Sequence, residues 1–186
     1  MTGLFFGSFN PIHNGHLTIA EYILHHHYCE EIWLIISPQN PFKQEIRLLE
    51  ESLRLKIVET AIYSHPHLKA CDIEFKMPRP SYTIDTLRKF SKQYPDKKFA
   101  LIIGEDNLKN FALWKDSEQI ISTYPIYVYP RPHIHTADIH FPNLIRIDAP
   151  LSEISSTEIR KMVREGKDIS ALVPSSVLKL IETYYK

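Results

Sequence analysis

The chain has 186 residues, with 22 Lys plus Arg balanced by 22 Asp plus Glu, and hydrophobic residues make up 44% of it. That length suggests about one domain, here residues 1–186, able to bury roughly 70% of its unfolded surface without a metal or a disulfide to hold it. The apolar content excludes a disordered chain, and zero net charge speaks against a broad basic face, so neither nucleic acid nor a membrane is an expected partner.

Short apolar runs rich in branched and aromatic residues predict buried parallel strands at Gly3–Phe6, Ile32–Ser37, Ala70–Phe75, Phe99–Ile103, Ile126–Tyr129 and Leu144–Ile147. Helical spacing lies between them. Leu17–Tyr28 carries Leu17, Ala20 and Leu24, and Arg47–Tyr63 carries an i, i+4 stripe of Leu49, Leu53, Ile57 and Ala61. Tyr82–Tyr94 and the shorter Lys115–Ser122 follow, and Pro130–Pro142, without periodicity, reads as a surface loop. Ser155 and Glu158 fit an S-x-x-E capping box, with Gly166 placed to close that helix. Pro174 opens a last helix that turns Val177, Leu178, Ile181 and Tyr184 to the core. The alternation predicts an α/β fold, an open parallel sheet with helices on both faces. The first residues, Met1–Phe9, read as a strand rather than a signal peptide, and no apolar run reaches the roughly 18 residues of a membrane span, so a cytoplasmic location is expected. Cys29 and Cys71 read as small buried hydrophobes.

Ligands of such sheets bind beyond the carboxyl ends of the strands. The first strand is followed by Gly7-Ser8-Phe9-Asn10-Pro11-Ile12-His13-Asn14-Gly15-His16 and then a helix. Gly7 permits a tight turn and close approach of a ligand. The helix start offers unpaired N–H groups and the positive end of its dipole, and His13 and His16 add two donors, which together suit a phosphate. Zinc would need a third ligand that no Cys or suitably spaced carboxylate supplies, and two structural histidines are the bland alternative. G-x-G-x-x-G and Walker A patterns are absent. Near the other end, Ile154-Ser155-Ser156-Thr157-Glu158-Ile159-Arg160 places serines at a helix N-terminus and a guanidinium one turn in. Alone it reads as a well-capped amphipathic helix.

His13-Asn14-Gly15-His16 resembles the HxGH motif of the nucleotidylyltransferase superfamily, and ISSTxIR at 154–160 resembles the second motif of its adenylyltransferase branch. Class I aminoacyl-tRNA synthetases share the first motif, but their size and lysine-rich second motif are missing. Three further segments resemble the bacterial nicotinate-mononucleotide adenylyltransferases: Ser81-Tyr82-Thr83-Ile84-Asp85-Thr86-Leu87 for their SYTxDTL, Gly104-Glu105-Asp106 for their G-x-D, and Pro38-Gln39-Asn40-Pro41-Phe42-Lys43 for their P-x-x-P-x-K loop. Trp114 stands at the spacing of their stacking aromatic. The resemblance covers essentially the whole chain. Two positions depart from the family's GGTFDP turn, Phe6 for Gly and Asn10 for Asp, which bears on fine geometry near the phosphates.

The resemblance implies a Rossmann-like nucleotidylyltransferase fold and an enzyme of NAD biosynthesis that joins ATP to nicotinate mononucleotide, releasing pyrophosphate. It implies His13, His16 and Arg160 as the catalytic groups. Gly7, Ser8, Phe9, Lys43, Gly104, Asp106, Ile154, Ser155 and Ser156 would join them in binding ATP and its phosphates. Tyr82, Thr83, Asp106, Trp114 and Lys115 would hold the nicotinate nucleotide, Trp114 by stacking on the pyridine and the N–H groups of Thr83 and Lys115 on the carboxylate. Mg²⁺ would bridge phosphate oxygens with water rather than protein ligands. Trp114 as a core aromatic and Asp106 as a helix cap are the bland alternatives. A sister enzyme acting on nicotinamide mononucleotide or phosphopantetheine, or a nucleotide-binding module without turnover, are the competing functions, and association into a homo-oligomer is left open. His25-His26-His27, His65, His67, His133, His135 and His140 read as solvated, and Arg79 is not assigned a role.

Overall fold

The computed structural model describes residues 1–38 and 48–186. At its centre six strands form one wholly parallel sheet in the order β3-β2-β1-β4-β5-β6. They are β1 (Thr2–Gly7), β2 (Glu31–Ile36), β3 (Leu68–Cys71), β4 (Phe99–Gly104), β5 (Ile126–Tyr129) and β6 (Leu144–Arg146). The helices are α1 (Asn14–His25), α2 (Glu51–Ile62), α3 (Thr83–Gln93), α4 (Glu105–Leu108), α5 (Ser117–Thr123), α6 (Ser156–Arg164) and α7 (Leu178–Tyr184).

The two-residue period of a strand sends alternate side chains to opposite faces, and both faces are covered, so the central strands are apolar at nearly every position, the buried Thr2 of β1 giving its hydroxyl to Glu31. Phe5, Leu34, Ile36, Ile102 and Tyr127 join Ile19, Ile23, Ile57, Ile159, Val177 and Ile181 in one cluster under α1, α2, α6 and α7. Leu4, Trp33, Ile35, Leu101 and Val128 join Ile84, Leu87, Phe90, Leu108 and Ile120 in the other, under α3, α4 and α5. The expected α/β architecture, with helices on both faces, is what forms. The strand order reverses between β1 and β4, and the site lies above their carboxyl ends.

Several boundaries move for identifiable reasons. β3 stops at Cys71, where its register with β2 ends, and Ile73–Lys76 turns as a 3-10 helix instead of running on as strand to Phe75. α1 begins three residues earlier than its apolar stripe and ends at His25, because His27 adopts φ 56°. Asp116 at φ 50° delays α5 to Ser117. The expected start of the second helix at Arg47 lies outside the described residues, and α2 itself runs from Glu51. Pro174 precedes a 3-10 turn, Ser175–Val177, rather than opening α7 directly. Tyr184 points outward and Tyr185 is the buried one: the helix ends there, and the Tyr185 hydroxyl reaches Asn10. Gly166 closes α6 as expected, at φ 67°, with Lys167 N–H bonded to Met162 O and its own N–H to Val163 O. The 130–142 segment is irregular but not merely a surface loop, since Thr136 within it is buried. Among the described residues no helix is long and apolar enough to cross a membrane.

Candidate active site

A cavity of about 310 Å³ opens at the switch point. Every candidate residue from the sequence lines it except Lys43, which lies outside the described residues. Segments more than a hundred residues apart, the β1 loop, the first turn of α3, the start of α4, Trp114 and the start of α6, thus share one space.

The β1 loop is shaped by packing. Gly7 has no positive φ, and the left-handed residue of the turn is Phe9, at φ 42°. Gly7 is needed for a different reason than the expected tight turn: a Cβ there would stand 2.9 Å from the Phe9 ring. Phe9 is 1% exposed, so an aromatic anchor holds the loop in a conformation L-residues avoid. Phe6 is half-buried and belongs to the cluster on the α3 face. Gly15 is a second site of close approach, where a Cβ would meet Ser152 Oγ at 2.5 Å.

His13 caps α1 and its ring stacks on that of His16, centroids 3.7 Å apart. The His13 N–H donates to His16 Nδ1 at 3.3 Å. That bond makes Nδ1 the acceptor and leaves Nε2 carrying the ring proton. Phe9 packs edge-on against the same ring at 5.1 Å. Burial, then the neighbouring His13 and Arg131, holds the His16 imidazole well below its ordinary pKa, and burial and Arg131 push His13 down to about 3. Both rings are neutral donors at physiological pH. The N-terminal N–H groups of α1 are less available than the sequence suggested. That of Asn14 donates to Leu172 O at 2.9 Å and that of His16 to His13 O at 2.9 Å.

α6 approaches from the opposite end of the chain. Ser155 caps it, its Oγ accepting from Glu158 N–H at 3.1 Å. The Ser156 hydroxyl donates to Pro11 O at 2.8 Å and Arg160 Nη1 to Asn10 O at 2.7 Å. Both side chains therefore pin α6 onto the β1 loop. Ser155, Ser156, Thr157 and the half-buried Arg160 line the cavity there, and while Ser155 Oγ takes the Glu158 N–H, those of Ser156 and Thr157 have no acceptor inside the helix.

The far side of the cavity is built on α3 and α4. Tyr82 caps α3 and Thr83 is its first residue. Trp114 is half-buried and packs on Phe111 at 4.9 Å while still lining the cavity, so it is not a closed core aromatic. Lys115 Nζ lies 5.0 Å over the Tyr82 ring and 2.8 Å from Asp85. Gly104, not Asp106, is the cap of α4, which frees the Asp106 carboxylate to face the cavity, where Arg131 Nε lies 3.3 Å away.

Arg131, Glu74 and Arg54 were not anticipated, and Asn10, marked by its departure from the family's turn, proves to be a tie point. Arg131 follows β5, donates to Asp106 and to the Tyr129 hydroxyl, and lies 5.0 Å over the Tyr129 ring. Glu74 follows β3 and is buried. Arg54, wholly buried in α2, donates to Leu49 O, Ser8 O, Ser37 O and Pro38 O. Asn10 Oδ1 accepts from Leu49 N–H at 3.1 Å and Tyr185 O–H at 2.9 Å. For Arg131 the available signal was position, after a strand at its carboxyl end; Glu74 fell inside the expected Ala70–Phe75 strand and follows one only because β3 ends at Cys71. Arg54 sits inside a helical stripe and carries no such signal.

Residues 4–162 match the Cytidylyltransferase-like family model. A protein of Cytophaga hutchinsonii named "Probable nicotinate-nucleotide adenylyltransferase" is 49% identical over 180 residues, 96% of this chain and 94% of its own length. One of the same name from Bacteroides fragilis is 44% identical over 97% of this chain and 90% of its own. Among solved structures, nicotinic acid mononucleotide adenylyltransferase of Plasmodium falciparum, complexed with NaAD, shares the fold with a TM-score of 0.80 at 23% identity, over 98% of this chain and 93% of that one. By this similarity along nearly its whole length, the chain belongs to the nicotinate-nucleotide adenylyltransferase family.

Proposed function

We propose that the chain is an adenylyltransferase of NAD biosynthesis, joining ATP and nicotinate mononucleotide to give nicotinate adenine dinucleotide and pyrophosphate. The observation that carries this reading is the convergence of the His13–His16 pair, the start of α6 and the half-buried Trp114 on one cavity. An oxygen of the mononucleotide phosphate attacks the α-phosphorus of ATP, the α–β bridging bond breaks, and pyrophosphate leaves with the electron pair. No protein nucleophile is required. The work of the site is to align two anions and offset charge as it develops.

Neutral Nε2–H of His16 and the His13 ring donate to phosphate oxygens, His16 at the α-phosphate. Being neutral, they do so without giving up a proton. The N–H groups of Ser155 and Ser156 and the guanidinium of Arg160 hold the β- and γ-phosphates and the departing pyrophosphate, while Gly7, Ser8, Phe9 and Ile154 present the backbone against which ATP lies. Lys43 belongs to the phosphate set by its motif. Gly104 and Asp106 face the ribose, with Arg131 tempering the carboxylate's charge. Trp114 and Tyr82 bracket the pyridine, and the N–H groups of Thr83 and Lys115 take the nicotinate carboxylate. The cavity's donors are imidazoles, N–H groups and a guanidinium, a set that suits phosphate oxygens. Mg²⁺ would enter with ATP, held mainly by phosphate oxygens and water, and would offset their charge. Residues 1–186 act as one domain, in the cytoplasm, on small molecules.

Purified protein with ATP, Mg²⁺ and nicotinate mononucleotide is expected to release pyrophosphate, and much more slowly with nicotinamide mononucleotide or phosphopantetheine in its place. Release with either of the latter alone would discard the Trp114 and Thr83 roles. Silence with all three, ATP still binding, would leave a nucleotide-binding module.

A further inference from the structure

Among the described residues, Glu74 is the one buried carboxylate in the cavity wall, and the reaction above has no use for it. It is 2% exposed and sits in the 3-10 turn after β3. Its Oε2 accepts from Ser81 Oγ at 2.9 Å and its Oε1 from Thr86 Oγ1 at 2.7 Å. Both hydroxyls are buried themselves, at 7% and 0% exposure. Among the described residues no lysine or arginine pairs with it. Burying a carboxylate against neutral hydroxyls alone is unfavourable, and desolvation duly raises its pKa. An apolar side chain would fill a core position at lower cost.

The place of the two hydroxyls gives the group its use. Ser81 immediately precedes the cap of α3, and Thr86 lies one turn into the helix, where its hydroxyl is also 3.4 Å from Tyr82 O. Tyr82 and Thr83 lie between them, and all of Glu74, Ser81, Tyr82 and Thr83 line the cavity. We infer that Glu74 is a positioning residue for the pyridine nucleotide: by holding Ser81 and Thr86 at once, it sets the first turn of α3 so that the Thr83 N–H meets the nicotinate carboxylate. The strand β3 thereby reaches the substrate through α3, which its own edge position in the sheet would not allow. This inference rests on the pyridine nucleotide occupying the α3 side.

The test is steady-state kinetics of Glu74→Ala, Glu74→Gln and Thr86→Val against both substrates. One charge-assisted contact is worth roughly tenfold or more. Glu74→Ala is expected to raise KM for nicotinate mononucleotide about tenfold, leave KM for ATP within about twofold, and narrow the preference for nicotinate over nicotinamide mononucleotide. Glu74→Gln keeps the shape and an acceptor and restores most of the loss. Thr86→Val, nearly isosteric, shifts the same KM by about threefold and covers the case in which Glu74→Ala does not fold. Equal changes in both KM values, or no change in a folded variant, overturn the inference. Trp114→Ala separates the two ideas. If it too fails to raise KM for the pyridine nucleotide more than for ATP, the assignment of that side is at fault. If it succeeds while the Glu74 and Thr86 variants fail, only the role of Glu74 falls.

Discussion

The two sides of the cavity are held by different means. On the proposed phosphate side, side-chain donors grip main-chain carbonyls: the buried Arg54 takes Ser8 O, Ser37 O and Pro38 O, and the half-buried Arg160 and Ser156 take Asn10 O and Pro11 O. On the proposed pyridine side the visible ties are ion pairs between part-exposed side chains, Lys115 with Asp85 and Arg88 with Asp116, with Glu74 reaching in from the core. Carbonyl ties fix the backbone itself, and they suit a site that must present donors to a transition state without reorganising. Exposed ion pairs are worth little and adjust easily, which suits the side that chooses the acceptor.

That contrast can be broken most severely at Arg54. Arg54→Met is expected to cost about 3–5 kcal/mol, because several buried carbonyls lose their donor at once. Chemical denaturation measures it, and a loss below about 1 kcal/mol would mean the carbonyls find other partners.

His16→Ala leaves the fold and removes a donor to the reacting phosphate, so kcat is expected to fall by about a hundredfold or more. Near wild-type turnover in a folded variant would exclude His16 from the chemistry.

Acid is the third probe of the phosphate side. Both imidazoles ionise less readily in the folded chain, His13 only near pH 3. The unfolded chain takes up those protons near pH 6.5, so below that pH folding loses up to about 1.4 kcal/mol per pH unit for each histidine. Denaturation of the wild type and His13→Gln from pH 7 to pH 5 should show the shallower slope in the variant. Parallel slopes would mean that His13 titrates freely.

The smallest effect belongs to the pyridine side. A double-mutant cycle on Asp85 and Lys115 is expected to give a coupling below about 1 kcal/mol in stability. A larger value would make that side as rigid as the other.

What could be read along the chain was whatever is local. The six apolar runs, the HxGH and ISSTxIR segments and the closing Gly166 are each contained in a few consecutive residues, and a strand between two helix layers or a helix terminus imposes its residue types directly. The nearest misreadings were also local in scale. Tyr184 and Tyr185 differ by one position, and which one turns inward depends on where the last helix stops and on Asn10, 175 residues away. Gly7 is indeed required, but by the Phe9 ring rather than by its own φ.

Arg54 and Arg131 lay beyond such reading because their partners Ser8 and Asp106 are set by the sheet order and not by spacing, and Glu74, whose partners Ser81 and Thr86 are 7 and 12 residues on, because the strand expected to run through it ends at Cys71, which turns it toward α3. The sequence by itself determined an α/β sheet, its helices on both faces, and the two motif segments that meet at one cavity. Only the tertiary structure decided that a guanidinium from α2 would lie under the β1 loop, that Arg131 would face Asp106, and that a carboxylate after β3 would hold the first turn of α3. A side chain's type limits what it can bond, but burial removes water as a competitor and leaves it only the partners that packing brings within reach.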